Sequence, residues 1–138
     1  MNYQRIKQLS ELKAYIGSAT VLSFDFETAP DDPYRAEDKA ALDPYKAHIV
    51  GVSVSVEIGT GVYIPLAHRY SEEKNLSADA VFGYLKAVFS SSSVIKIAHN
   101  IAFETMFLMD VGILLQPPVY DTIVASQLTL KTLSLIHI

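Results

Sequence analysis

Two acids one residue apart close an apolar run, Val21-Leu22-Ser23-Phe24-Asp25-Phe26-Glu27-Thr28. Side chains of a strand alternate faces, so Phe24 and Phe26 point one way and Asp25 and Glu27 the other. Carboxylates placed side by side repel unless a cation lies between them, and hard divalent ions such as Mg²⁺ take oxygen ligands. The same pair at a strand end open to solvent costs little, and these residues alone leave both readings open. A further acid, Glu104, follows His99-Asn100-Ile101-Ala102-Phe103. There Asn100 suits a helix N-cap, and Glu104 falls in the first turn, where a carboxylate suits the helix dipole. Other chemistries find no support in the spacing. His48, His68, His99 and His137 lack zinc-motif intervals and read as structural or surface residues. Gly59-Thr60-Gly61 lacks the P-loop lysine, and Ser23 sits inside a strand, not in a nucleophile elbow.

The elements that must position these acids follow from periodicity. Ile6, Leu9, Leu12, Tyr15 and Ile16 recur at helical spacing, so an amphipathic helix is expected over Met1–Ser18, ending near Gly17. Thr20–Phe26 is the first strand. Ala29–Ala47 holds three prolines and many charges, which predicts a loop with one helical turn near Arg35–Leu42. That loop is either a wall beside the acids or a solvated insertion. Ile49–Val56 and Val62–Ala67 are β-rich and joined through Gly59 and Gly61, a hairpin signal. Ser77 or Asp79 can cap a helix reaching Phe89, with Val81, Leu85, Val88 and Phe89 inward. Ser90–Ser93 reads as a linker, and Val94–Ala98 as a short buried strand. The helix after Asn100 is expected to run to Val111 with Phe103, Met106, Phe107 and Val111 inward. After Gln116-Pro117-Pro118 come a minimal strand at Val119–Tyr120 and a last helix, Thr122–Leu130, capped by Asp121. This order suits an α/β sheet: an antiparallel three-strand meander, then parallel strands with crossover helices. Sites in such sheets form at strand C-terminal ends, which would bring Asp25 and Glu27 toward Asn100 and Glu104.

The whole chain sets bounds on function. Its 138 residues, half of them apolar, suffice for one domain with a real core. No apolar run is long enough to span a membrane and no signal-peptide pattern opens the chain, so the cytoplasm is the expected compartment. Without cysteine, disulfides and thiolate metal sites are excluded. A net charge of −4 excludes nucleic-acid binding by a general basic footprint. A polyanionic substrate would need metal ions or a basic neighbouring domain.

At this point the motifs resemble a known family. Phe24-Asp25-Phe26-Glu27-Thr28 resembles the first motif of the DEDD 3′–5′ exonucleases, which have a ribonuclease H-like fold. Ala98-His99-Asn100-Ile101-Ala102-Phe103-Glu104 resembles the second motif of their DNA polymerase I branch, where an Asn precedes the acid by four. Val50–Ser55 and Val62–His68 are similar to that branch's second and third strands, and Tyr120–Leu128 to the segment after the second motif. The likeness covers Val21–Leu130, with residues 19–130 the recognisable part of a domain over 1–132.

The resemblance implies two-metal phosphodiester hydrolysis, with Mg²⁺ or Mn²⁺ as the pair of divalent ions. Asp25 would bridge the ions, Glu27 would hold the nucleophile-side ion, and Glu104 would position the second. Thr28, Asn100 and Phe103 fall on the substrate side. Asn100 would orient the first turn or contact DNA, and Phe103 would wall the 3′-terminal nucleotide or serve the core. The implied substrate is a single-stranded DNA 3′ end, and the implied partner a C-terminal polymerase domain. The chain departs from the pattern in two ways. Glu104 stands where the family has Asp, and the third motif, Tyr-x-x-x-Asp, is expected beyond residue 138. The domain is thus expected to be C-terminally incomplete, with low activity. The final Leu133-Ser134-Leu135-Ile136-His137-Ile138 resembles translated sequencing-adaptor read-through and is expected to be non-native. Two other readings stay open: a degenerate domain scaffolding a polymerase, and a ribonuclease D-like RNA 3′-exonuclease.

Overall fold

The computed structural model describes residues 2–69 and 74–129, and within them the acids lie on the second strand of a six-stranded mixed sheet. The strands are β1 (Asn2–Arg5), β2 (Val21–Pro30), β3 (Ala47–Ser55), β4 (Thr60–Pro65), β5 (Ile95–Ala98) and β6 (Val119–Asp121), in spatial order β1-β4-β3-β2-β5-β6. β2, β3 and β4 form the expected antiparallel meander. β5 and β6 extend it in parallel beyond β2. Four helices accompany the sheet: α1 (Leu9–Ile16), α2 (Ala78–Phe89), α3 (Ile101–Asp110) and α4 (Thr122–Thr129).

One face of the sheet carries the core. Leu22, Phe24 and Phe26 of β2 are buried with Val52 and Val54 of β3 and Ile64 of β4. Phe24 stacks obliquely on Phe89 of α2 at 4.6 Å, and Phe26 meets Phe82 edge-on at 6.4 Å. Leu12 and Ile16 of α1 and Phe107 and Leu108 of α3 complete the same cluster. Burying such side chains stabilises by roughly 1.5–3 kcal/mol each. α2 starts as expected, with the Ser77 hydroxyl accepting the Ala80 N–H at 3.3 Å. Its inward stripe includes Phe82, whereas Val88 is only partly buried. Buried Lys96 on β5 is satisfied by donating to the Ser91 carbonyl at 2.6 Å.

At the N-terminus the structure departs from the expected helix. Residues 2–5 form an edge strand, not the first turns of a helix, and pair in parallel with β4 from Asn2↔Thr60 to Arg5↔Tyr63. The unmet backbone groups of the β4 edge capture this segment, which has no apolar face of its own for a helix to bury. The helix begins only at Leu9, where the Glu11 carboxylate accepts the Lys7 N–H at 2.7 Å. The proline-rich loop holds two short 3₁₀ turns, Asp32–Tyr34 and Ala40–Leu42, in place of one helical turn. It is tied down by His48 Nδ1 to Asp31 (2.6 Å), by Arg69 to Asp32 (2.7 Å), and by Lys46 to Glu37. The tail at 133–138 lies outside the described residues. Among the described residues no helix is long and apolar enough to cross a membrane.

Candidate active site

Strand alternation does to β2 what the sequence requires. Phe24 and Phe26 are buried, while Asp25 and Glu27 are exposed on the opposite face. Across β3 their partners are small: Asp25 pairs with Ser53 and Glu27 with Gly51. Immediately after Glu27 the register slips, so that Thr28 pairs with Ile49 and Val50 is left as the extra residue. Bulges of this kind re-aim side chains and are common beside active sites. Asp25, Ser23, Ser53, Tyr63, Ile97 and His99 line a groove of about 750 Å³ on this open face.

The third acid arrives from α3. Glu104, Phe107 and Leu108 are the buried positions of that helix, at the i, i+3, i+4 spacing of one face. Glu104 is 1% exposed, and its Oε2 has no hydrogen-bond partner. Burial, reinforced by the charges of Asp25 and Asp121, pushes its carboxyl up to about 7. The expected inward set for α3 is therefore corrected. Met106 and Val111 are exposed, because the face that packs on the sheet is turned to bring Glu104 inward.

The capping of α3 also differs from expectation. Asn100 occupies the N-cap position in the left-handed conformation (φ 68°), but its side chain makes no cap hydrogen bond. The cap is Asp121 at the end of β6. Its Oδ1 accepts the N–H groups of Asn100 (3.0 Å) and Ile123 (2.8 Å), and its Oδ2 accepts that of Ile101 (3.0 Å). One carboxylate thus closes the N-termini of both α3 and α4, and the sequence reading had given it only the second. Phe103 is partly buried against Phe107 at 4.9 Å. The Thr28 hydroxyl donates to the Ala41 carbonyl at 2.6 Å, which ties the proline-rich loop to the acid-bearing strand. Asp121 was legible only as a local cap, since its contact to α3 depends on β5 and β6 lying side by side.

Among the described residues no three acidic or histidine side chains converge closely enough to hold a metal ion as they stand. The donor set nevertheless fits a divalent ion. Glu104 keeps an orphaned buried oxygen in the field of Asp25, and oxygen donors suit Mg²⁺ and Mn²⁺.

A meander extended by parallel strands, with acids on its first strand and on a crossover helix, has the ribonuclease H-like fold. The 3′–5′ exonuclease family model of the DNA polymerase A type matches residues 2–137. The chain belongs to that exonuclease family, and by family it is a metal-dependent hydrolase of phosphodiester bonds. It is 30% identical over 111 residues to DNA polymerase I of Pseudomonas aeruginosa, a match covering 78% of this chain and 11% of that protein. Among solved structures, Brucella melitensis NrnC with bound Mg²⁺ superposes with a TM-score of 0.60 at 21% identity, over 93% of this chain and 52% of NrnC. Trypanosoma brucei RNase D in complex with RNA U12 gives 0.64 at 14% identity, over 88% and 37%. The chain spans about a tenth of the polymerase relatives and half of NrnC.

Proposed function

We propose that this chain is the proofreading portion of a larger A-type DNA polymerase, hydrolysing 3′-terminal nucleotides from single-stranded DNA with two divalent ions. One observation carries the reading: Glu104 is a buried carboxylate with an unpartnered oxygen, held in the field of Asp25. Burying such a group without a partner costs up to several kcal/mol, and strongly perturbed carboxylates of this kind cluster at functional sites.

Asp25, Glu27 and Glu104 would hold the Mg²⁺ or Mn²⁺ ions, whose chemistry would be activation of water and charge stabilisation of the attacking and leaving oxygens. The chain's own residues do the rest. Asp25 and Glu27 present their oxygens from the open strand face, and Glu104 presents its own from α3. Phe103, at the first turn, would wall the terminal nucleotide, and stacking on an aromatic ring is open to every base. Exposed Asn100 offers its amide to the sugar-phosphate backbone. Thr28 holds the proline-rich loop against the strand and so shapes the substrate's approach. The acidic chain gains affinity for a polyanion only as ions load.

The relatives of which this chain spans about a tenth are polymerases, which supports a polymerase domain elsewhere in the protein. The cytoplasm is the compartment that suits such an activity. The test is degradation of a 5′-labelled single-stranded oligonucleotide in Mg²⁺ or EDTA, with its 3′ end free or blocked. The expected result is Mg²⁺-dependent shortening of the free-ended DNA alone. Cleavage of blocked DNA, or faster turnover of the matching RNA, would contradict it.

A further inference from the structure

Opposite Glu27 the sheet holds an arrangement for which the hydrolytic roles above have no use. Glu27 pairs with Gly51. A Cβ on Gly51 would stand 1.8 Å from the Tyr63 hydroxyl and 2.3 Å from its Cζ, so the ring occupies the space a side chain would fill. Directly opposed residues in antiparallel strands hold their Cβ positions about 4.5–5.5 Å apart. The Tyr63 hydroxyl, 1.8 Å from that position, therefore lies about 3–7 Å from the Glu27 Cβ, on the carboxylate's own face.

The phenol is held from its other side. Its oxygen lies 2.5 Å from His68 Nε2. His68 in turn is fixed by Asn75, whose Oδ1 accepts the His68 N–H at 3.2 Å and whose Nδ2 donates to the His68 carbonyl at 2.9 Å.

We propose that Tyr63 is a positioning residue for Glu27: His68 Nε2–H donates to the phenol oxygen, and the phenol O–H donates to the Glu27 carboxylate. The inference rests on the reading of Glu27 as a metal ligand. The opposite arrangement, with the phenol donating to His68, would leave it no proton to offer Glu27, so only the first lets Tyr63 hold that side chain. An exposed glutamate on a strand otherwise samples several rotamers. A fixed donor restricts it to one and so preorganises the ligand, as outer-sphere partners of metal ligands do.

The experiment measures Mn²⁺ affinity of the 138-residue chain by electron paramagnetic resonance, with circular dichroism melting of every variant. Tyr63→Phe should weaken Mn²⁺ binding about tenfold and have no effect in a Glu27→Gln background. His68→Gln, whose amide N–H can replace Nε2–H, should bind Mn²⁺ better than His68→Leu. Equal affinity of Tyr63→Phe and the unaltered chain would overturn the proposal, as would equal losses in both backgrounds. Should Tyr63→Phe fail to fold, the histidine pair decides, and equal affinities there would also overturn it. If the unaltered chain binds no Mn²⁺, the metal-site reading falls and this inference with it. Mn²⁺ binding indifferent to Tyr63 overturns this inference alone.

Discussion

The Asp121 carboxylate accepts the Asn100 N–H at 3.0 Å across 21 residues of chain. The same side chain accepts the first N–H of α3 and an N–H of α4, and Glu104 lies within the first turn it secures. A helix cap contributes about 0.5–2 kcal/mol. Asp121→Ala, which removes caps from two helices, should cost about 2 kcal/mol in chemical denaturation, and Asp121→Asn less. A loss below about 0.5 kcal/mol for the alanine variant would show that neighbouring contacts hold α3 without it.

Glu104 and Asp121 should make opposite marks on the pH dependence of stability. Burial raises Glu104 from its ordinary 4.5 to about 7, so the folded chain binds the extra proton between those values. Stability should therefore fall as pH rises from about 4.5 to 7 and level off above, by up to roughly 3 kcal/mol. Burial also acts to raise Asp121, but its backbone N–H donors outweigh it and hold the carboxyl below its ordinary value near 3.8. That contribution is present above the ordinary value and is lost as pH falls through the lowered one. Urea unfolding of Glu104→Gln in EDTA should show a flat profile over pH 5–8 and a clear gain at pH 8. An unchanged slope would place the titration on another group.

Glu104→Asp restores the acid usual to the family and should retain substantial turnover, whereas Glu104→Gln should lose metal-dependent rate by at least about tenfold. A Mg²⁺ titration of 3′-end degradation distinguishes the two. A glutamine variant as fast as the unaltered protein would make Glu104 a buried structural acid.

How much of this was legible beforehand depended on the range of the interactions involved. Alternation in Phe24-Asp25-Phe26-Glu27 is local, and the strand displays both acids on one face as the residues dictate. The β3–β4 hairpin and the Ser77 cap were likewise written in short segments. What escaped was long-range. Asn2–Arg5 became a strand because the β4 edge offered partners, which no local pattern in those residues announces. Tyr63 reaches Glu27's surroundings only because Gly51 is empty and three strands are in register. The inward turn of Glu104 did leave a trace. Spacing of 104, 107 and 108 puts the acid in an apolar stripe, which the choice of Phe103 and Met106 overlooked.

Joint action of Asp25 and Glu27 as the metal-binding pair is tested most directly by one rate. Single-stranded DNA labelled at its 5′ end is incubated in Mg²⁺ with the protein, unaltered or carrying Asp25→Ala and Glu27→Ala together. Both side chains are exposed, so the double variant should keep its melting temperature. Its 3′-end degradation should fall to the EDTA background, a loss of at least about 10³-fold for removing preorganised charge stabilisation. A double variant that folds normally and still degrades 3′ ends at the unaltered rate would contradict the assignment of this site.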